Sequence, residues 1–133
     1  MPFEIINPEE LGAPKGWNNG MLAPTGGRVL FVAGQTARDV EGRIVDGGFV
    51  AQFERALENV LAVVRAAGGG PEHIGRMTVY VTDLAAYREA LRPLGEAWRR
   101  RMGRHYPAMA LVEVSALVDE GAMVEIEATA VVP

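Results

Sequence analysis

Apolar side chains recur along this chain with two distinct periods. Over residues 49–67, Phe53, Leu57, Val60, Leu61 and Val64 fall three or four positions apart, with Glu54, Glu58 and Arg65 at other positions. That spacing puts the apolar groups on one stripe of an α-helix. Gly68-Gly69-Gly70-Pro71 ends it, because glycine suits the left-handed closing residue and proline cannot continue a helix. A second helical pattern runs to about residue 102, with Asp83 at the N-cap position and Tyr87, Leu91, Leu94 and Trp98 as its buried stripe. Pro93 interrupts it, so two short helical pieces are expected there.

Elsewhere the period is two. Met77, Val79 and Val81 alternate with Thr78, Tyr80 and Thr82. Residues 108–114 put Met109, Leu111 and Glu113 on one face and Ala110, Val112 and Val114 on the other. Residues 123–131 put Glu125, Glu127 and Thr129 opposite Val124, Ile126, Ala128 and Ala130, with a turn at 118–121. Near the start, residues 3–6 read as a short edge strand, and Asn7-Pro8 and residues 12–16 as loop. Strands over 18–23 and 29–33, separated by the Gly26-Gly27 turn, are expected to pair as a hairpin. Residues 39–48 are polar and Gly-rich, a loop. The order β-β-β, helix, β, helix, β-β predicts one α+β domain over 1–133, with helices on one face of a mixed sheet.

Composition narrows the function. The length of 133 residues suits one domain, and 49% apolar with 23% charged residues is ordinary for a packed one. The formal charge is 13 − 17 = −4, which does not favour nucleic-acid binding. Absence of cysteine excludes disulfides, thiolate catalysis and cysteine metal sites, and two histidines, His73 and His105, leave little for zinc. No apolar run approaches the length of a membrane span, and Met1-Pro2-Phe3-Glu4 lacks the basic and apolar regions of a signal peptide. A soluble, cytoplasmic protein is therefore expected. Twelve of the 13 basic residues are Arg and only Lys15 is Lys, which reads as compositional bias. Arg99, Arg100, Arg101, Arg104 and His105 cluster where cations suit a helix end, without interleaved aromatics or a histidine pair for RNA cleavage. A Met1-Pro2 start also raises a tautomerase-type terminal proline, but Asn7-Pro8 and a long loop follow too soon for the buried strand that chemistry needs. The alternating Glu face has two readings. It is either a solvated outer face, or a face packed against copies of the chain with carboxylates in a cleft.

The resemblance to a known family is carried by Val32-Ala33-Gly34-Gln35, the helix segment Gln52-Phe53-Glu54-Arg55-Ala56-Leu57-Glu58-Asn59-Val60, the strand Thr78-Val79-Tyr80-Val81-Thr82-Asp83-Leu84, and the tail segments Tyr106-Pro107-Ala108-Met109, Val112-Glu113-Val114 and Val124-Glu125-Ile126-Glu127-Ala128. In this order and spacing they resemble the RidA/YjgF family of reactive-intermediate deaminases, older name endoribonuclease L-PSP. The resemblance implies a chorismate-mutase-like fold and a homotrimer in which three sheets line a central barrel. It also implies a small-molecule ligand in each inter-subunit cleft, and hydrolysis of 2-imino or 2-enamino acids to 2-keto acids and ammonium without a cofactor or metal. An Arg holds the substrate carboxylate in that chemistry, and a Glu positions water.

Position by position, the pattern departs from that family. Pro-Ala-Arg reads Pro107-Ala108-Met109, the Cys two residues on is Leu111, the Ser before Gly-Gln is Ala33, and the Tyr of the N-terminal loop is Trp17. Gly34, Gln35 and Glu125 match. A charge-assisted bond to a carboxylate is worth on the order of 1.5–3 kcal/mol, so its loss weakens amino-acid-like imines roughly tens- to hundred-fold. The expected site is an apolar, aromatic-walled cleft of Trp17, Ala33, Gly34, Gln35, Met109 and Leu111 with Glu125 at its end. Two functions remain open on these residues. One is a divergent deaminase or hydrolase using Glu125 on an apolar imine or enamine. The other is a trimer that binds a small metabolite without turnover, and an RNA-directed activity stands behind both. Glu113 and Glu127 read as structural, and Arg104 or His105 as a replacement anchor if either reaches the cleft.

Overall fold

The computed structural model describes residues 2–133, so the Met1-Pro2 reading concerns a terminus that lies in part outside the described residues. The elements in chain order are β1 (Glu4–Ile6), β2 (Gly20–Leu22), β3 (Arg28–Gln35), α1 (Gly48–Ala66), β4 (Ile74–Val81), α2 (Leu84–Glu89), α3 (Leu91–Met102), β5 (Ala108–Glu113) and β6 (Val124–Val132). Short 3-10 turns occupy Glu9–Leu11 and Pro71–His73. The main sheet has the order β3-β6-β4-β5, with β6 antiparallel to both neighbours and β4 parallel to β5. β3 and β4 therefore run the same way, and each step along β3, β4 and β5 needs a crossover. α1 supplies the first and α2–α3 the second. Crossovers of one hand that progress in one direction put their helices on the same face.

The core lies between that helix layer and the sheet. Phe53, Leu57, Val60, Leu61 and Val64 of α1 pack in one cluster with Met77, Val79 and Val81 of β4 and Val124, Ile126, Ala128 and Ala130 of β6. Each fully buried side chain of this size contributes about 1.5–3 kcal/mol. α1 closes as expected: Gly68 has φ +89°, its N–H bonds Arg65 O, and the Gly69 N–H reaches back to Val64 O at 3.0 Å, the paired bonds of a Schellman end. Asp83 caps α2 by accepting from the Ala86 N–H at 3.2 Å.

Two expectations change in detail. The 18–23 and 29–33 strands do not form a hairpin: β2 pairs with β1, and β3 pairs with β6. A three-residue β2 cannot cover the eight residues of β3, whereas β6 spans them and buries Val32 beneath α1. The β1–β2 ribbon instead docks by Phe3, whose ring packs so closely over Gly75 that a Cβ there would lie 2.8 Å from it. The second helix does split in two, but at Ala90, whose N–H bonds Tyr87 O. Pro93 is the third residue of α3, where a backbone N–H has no intrahelical partner to lose.

Among the described residues no layer covers the opposite face of the sheet. It exposes Phe31 (80%), Val29 (59%) and Val112 (43%) beside the Glu125–Glu127 row. No helix among the described residues is long and apolar enough to cross a membrane.

Candidate functional site

Glu125 stands on the open sheet face because β6 alternates strictly, with Val124 and Ile126 buried on either side of it. Beside it, β3 carries a bulge. Val32 pairs with Ala128 and Gln35 with Ile126, so three steps on β3 face two on β6. Ala33 and Gly34 occupy the extra length, and the Gln35 side-chain amide ties the bulge by donating to Ala33 O at 3.1 Å. The Glu125 carboxylate lies directly over Gly34, where a Cβ would sit 2.1 Å from Oε2. Glycine at 34 thus makes the space the carboxylate occupies. The structure brings Ala33, Gly34, Gln35 and Glu125 together.

The two carboxylates of this row have different surroundings. The Tyr80 hydroxyl donates to Glu127 Oε1 at 2.6 Å. That bond, with burial, pushes the Tyr80 phenol above its ordinary value. Among the described residues no donor bonds the Glu125 carboxylate, although Tyr80 is its cross-strand neighbour. Glu113 is also engaged: it accepts from the Leu84 N–H at 2.9 Å, at the start of α2. Glu127 and Glu113 each accept a hydrogen bond, and Glu125 is the carboxylate of the three without one among the described residues.

Met109 and Leu111 lie elsewhere within the chain. Their register partners on β4 are the buried Met77 and Val79, so both point to the helix side of the sheet, opposite Glu125. They line a groove of about 280 Å³ along the β5 edge, walled by Tyr87, Trp98 and Tyr106. The Trp98 and Tyr106 rings stack with centroids 5.9 Å apart. β3 and β5 are the two outer strands of the sheet. Within a single copy β4 lies between β6, which carries Glu125, and β5, which carries Met109, and the two side chains stand on opposite faces of the sheet.

The remaining candidates fall as follows. Trp17 is 43% exposed, its indole N–H pointing to Asn19 Oδ1 at 3.4 Å, and among the described residues no ring stacks on it. Arg100 and Arg101 are tied to Glu54, and Arg101 also to Glu58, so much of the basic cluster is an intramolecular ion network. Arg100 is the main cause holding the Glu54 carboxyl below its usual range. His105 does not enter the Met109 groove: its Nε2 lies 2.7 Å from Ile74 O. It lines a separate cavity of about 380 Å³ with Phe3 and His73. That the two histidines share a cavity, and that Tyr80 engages Glu127, was invisible in the sequence because both depend on strand pairing. No group of three or more metal-ligating side chains occurs among the described residues.

Comparison with known proteins agrees with this architecture. The sequence profile of the Endoribonuclease L-PSP family matches residues 9–132. A RutC family protein of Pyrococcus abyssi is 34% identical over 131 residues, covering 98% of each chain. The 2-iminobutanoate/2-iminopropanoate deaminase of Homo sapiens is 29% identical over 105 residues, 78% of this chain and 73% of that one. The crystal structure of YyfB from Yersinia pestis, a protein of the conserved Rid family, superposes with a TM-score of 0.86 at 30% identity, covering 99% of this chain and 100% of that one. Sheet order, helix layer and profile point the same way, and this chain belongs to the Endoribonuclease L-PSP family, the RidA/YjgF proteins.

Proposed function

We propose that this protein hydrolyses an imine or enamine bearing an apolar substituent, in a cleft between copies of the chain, with Glu125 orienting and deprotonating the attacking water. The observation that carries this reading is the Glu125 carboxylate, set over Gly34 at a β-bulge and without a donor, while Glu127 beside it is occupied by Tyr80. Water adds to the C=N carbon and its proton passes to Glu125. Glu125 returns that proton to the nitrogen, the hydroxyl of the carbinolamine gives up its own proton to the amine, the C–N bond breaks, and ammonia leaves a carbonyl product; an enamine first tautomerises to the imine. Exchange of C=N for C=O by water is redox-neutral, so the step balances with water as its only co-reactant. The human relative's name, an iminobutanoate and iminopropanoate deaminase, supports the reaction class.

A ring of three copies supplies the second wall. The β5 edge of one copy meets the β3 edge of the next, so that Met109 and Leu111 approach Glu125 across the interface. The exposed Phe31, Val29 and Val112 on the uncovered face support such packing. Met109 offers no positive charge at the place where small 2-imino acids need one, so these are poor substrates and apolar imines or enamines better ones. The reading that competes is a trimer that only binds. It is favoured by the groove walls, which carry neither carboxylate nor imidazole.

Glu125→Gln decides between them. For an enzyme, the variant keeps its oligomeric state and ligand affinity while turnover of imines generated from phenylalanine or leucine falls by about 10²–10⁴-fold. Unchanged turnover with a shifted melting temperature removes Glu125 from catalysis and leaves the binding trimer. Light scattering is expected to give roughly three times 14.3 kDa, and a monodisperse monomer at micromolar concentration removes the inter-subunit site.

A further inference from the structure

We propose that the cavity between the β1–β2 ribbon and the two histidines is a second ligand site, which takes a neutral aromatic molecule bearing a hydroxyl group, a phenol. The cavity measures about 380 Å³ and shares no lining residue with the Met109 groove. Phe3, Ile5 of β1 and Met21 of β2 give it an apolar side, and Glu72, His73 and His105 a polar one.

Backbone bonds fix which nitrogen of each imidazole carries the hydrogen. A carbonyl oxygen only accepts, so His105 Nε2, 2.7 Å from Ile74 O, is the protonated nitrogen, and in the neutral ring Nδ1 is bare. The Gly70 N–H donates to His73 Nδ1 at 2.9 Å, so that nitrogen is bare and Nε2 carries the hydrogen. The two rings are thus the same tautomer used from opposite ends: His105 offers an acceptor and His73 a donor. Neither His105 Nδ1 nor His73 Nε2 has a partner among the described residues. No buried side-chain nitrogen or oxygen there lacks one, so both nitrogens are open to solvent. Both residues are also held by their backbone: the His105 N–H bonds Met102 O at 3.2 Å and the His73 N–H bonds Gly70 O at 3.0 Å.

A hydroxyl is the smallest neutral group that both gives a hydrogen, to His105 Nδ1, and takes one, from His73 Nε2. Charge argues against an anion. Neutral imidazoles set up no attracting field, and the exposed Glu72 carboxylate lies 3.3 Å from His73 Nδ1. The apolar side asks for a ring. Phe3 is packed so closely on Gly75 that it forms a fixed aromatic wall, and the volume suits a one-ring ligand.

The probes are 4-methylphenol, 4-methylanisole, which only accepts, toluene, which does neither, and 4-methylbenzoate. Each is titrated into the full chain at about pH 8, with the imidazole nitrogens and the Met109 methyl followed by NMR. Before any probe is added, both rings are expected to show the Nε2–H tautomer. The phenol is expected to bind about three- to tenfold tighter than the anisole, and the anisole tighter than toluene, by one hydrogen bond at each step; the benzoate is expected to bind more weakly than the phenol. The phenol is expected to shift His105 Nδ1 and His73 Nε2 and to leave the Met109 methyl in place. His105→Phe brings the phenol down to the level of the anisole, and the titration of the parent chain decides the matter if that variant does not fold. Equal binding of phenol and toluene, no binding of the phenol at millimolar concentration, an Nδ1–H tautomer in either ring, or a moving Met109 methyl beside unmoved imidazoles overturns the proposal. Imine turnover plays no part in these readouts, so this site and the Glu125 reading stand or fall separately.

Discussion

Gly34→Ala is the sharpest perturbation of the Glu125 corner, because it alters the carboxylate's position without altering its chemistry. A Cβ at 34 would lie 2.1 Å from Glu125 Oε2, 2.9 Å from Cδ and 3.1 Å from Cγ. Ordinary contacts need more than about 3 Å, so the carboxylate must move by about 1 Å. Gly34 is not among the glycines with positive φ, so alanine is not strained there and gains about 0.4–1 kcal/mol through the unfolded chain. Moving the Glu125 side chain off its present rotamer costs about 0.5–1.5 kcal/mol. The two terms nearly cancel, and the melting temperature is expected to stay within about 4 °C of the parent. Catalysis is far more sensitive, since a misplacement of about 1 Å costs on the order of 10²-fold. The assay is ammonium release from imines generated from phenylalanine, beside a thermal melt of the same preparation. If Gly34 acts only by seating Glu125, adding Glu125→Gln to Gly34→Ala brings little further loss. Undiminished turnover in Gly34→Ala, or losses that multiply in the double variant, refutes the argument that this glycine exists to place that carboxylate.

Two further outcomes follow from the other side of the sheet and from the helix layer. Met109→Arg should raise activity toward the small imine generated from alanine by roughly tens-fold, while a charge in an apolar groove lowers stability by about 1–3 kcal/mol; no gain in a folded variant shows that position 109 does not face the substrate carboxylate. Arg100 and Arg101 hold Glu54 below its usual value, so the ion network stabilises the fold above the unfolded carboxyl value of about 4.3 and this contribution is lost as pH falls through the lowered one. Glu54→Gln should therefore be less stable than the parent at pH 7, by under about 1 kcal/mol given the exposure of the arginines, with the gap closing below about pH 4. A gap that widens in acid contradicts this sign.

Much of the architecture was legible in local pattern. The α1 stripe, its glycine ending, the Asp83 cap and the alternation that turns Glu125 and Glu127 away from Val124 and Ile126 are set by residues within a few positions of one another. Their periods have a single low-energy solution whatever the rest of the chain does. Partnering is different. Whether β3 pairs with β2 or β6 depends on which partner buries more of Leu30 and Val32, and β6 lies nearly a hundred residues away. The bulge at Ala33-Gly34 exists only once that pairing exists, so the seat of Glu125 was hidden although Gly34, Gln35 and Glu125 were all candidates. Likewise, alternation placed Met109 with Leu111, but only the parallel pairing of β5 with β4 put both on the helix side, away from Glu125. That Lys15 lines one groove with Tyr87, Trp98 and Met109 was likewise hidden, because all three are distant from it in sequence. Periodicity reports which face a side chain takes relative to its own backbone; burial against distant segments decides what that face meets.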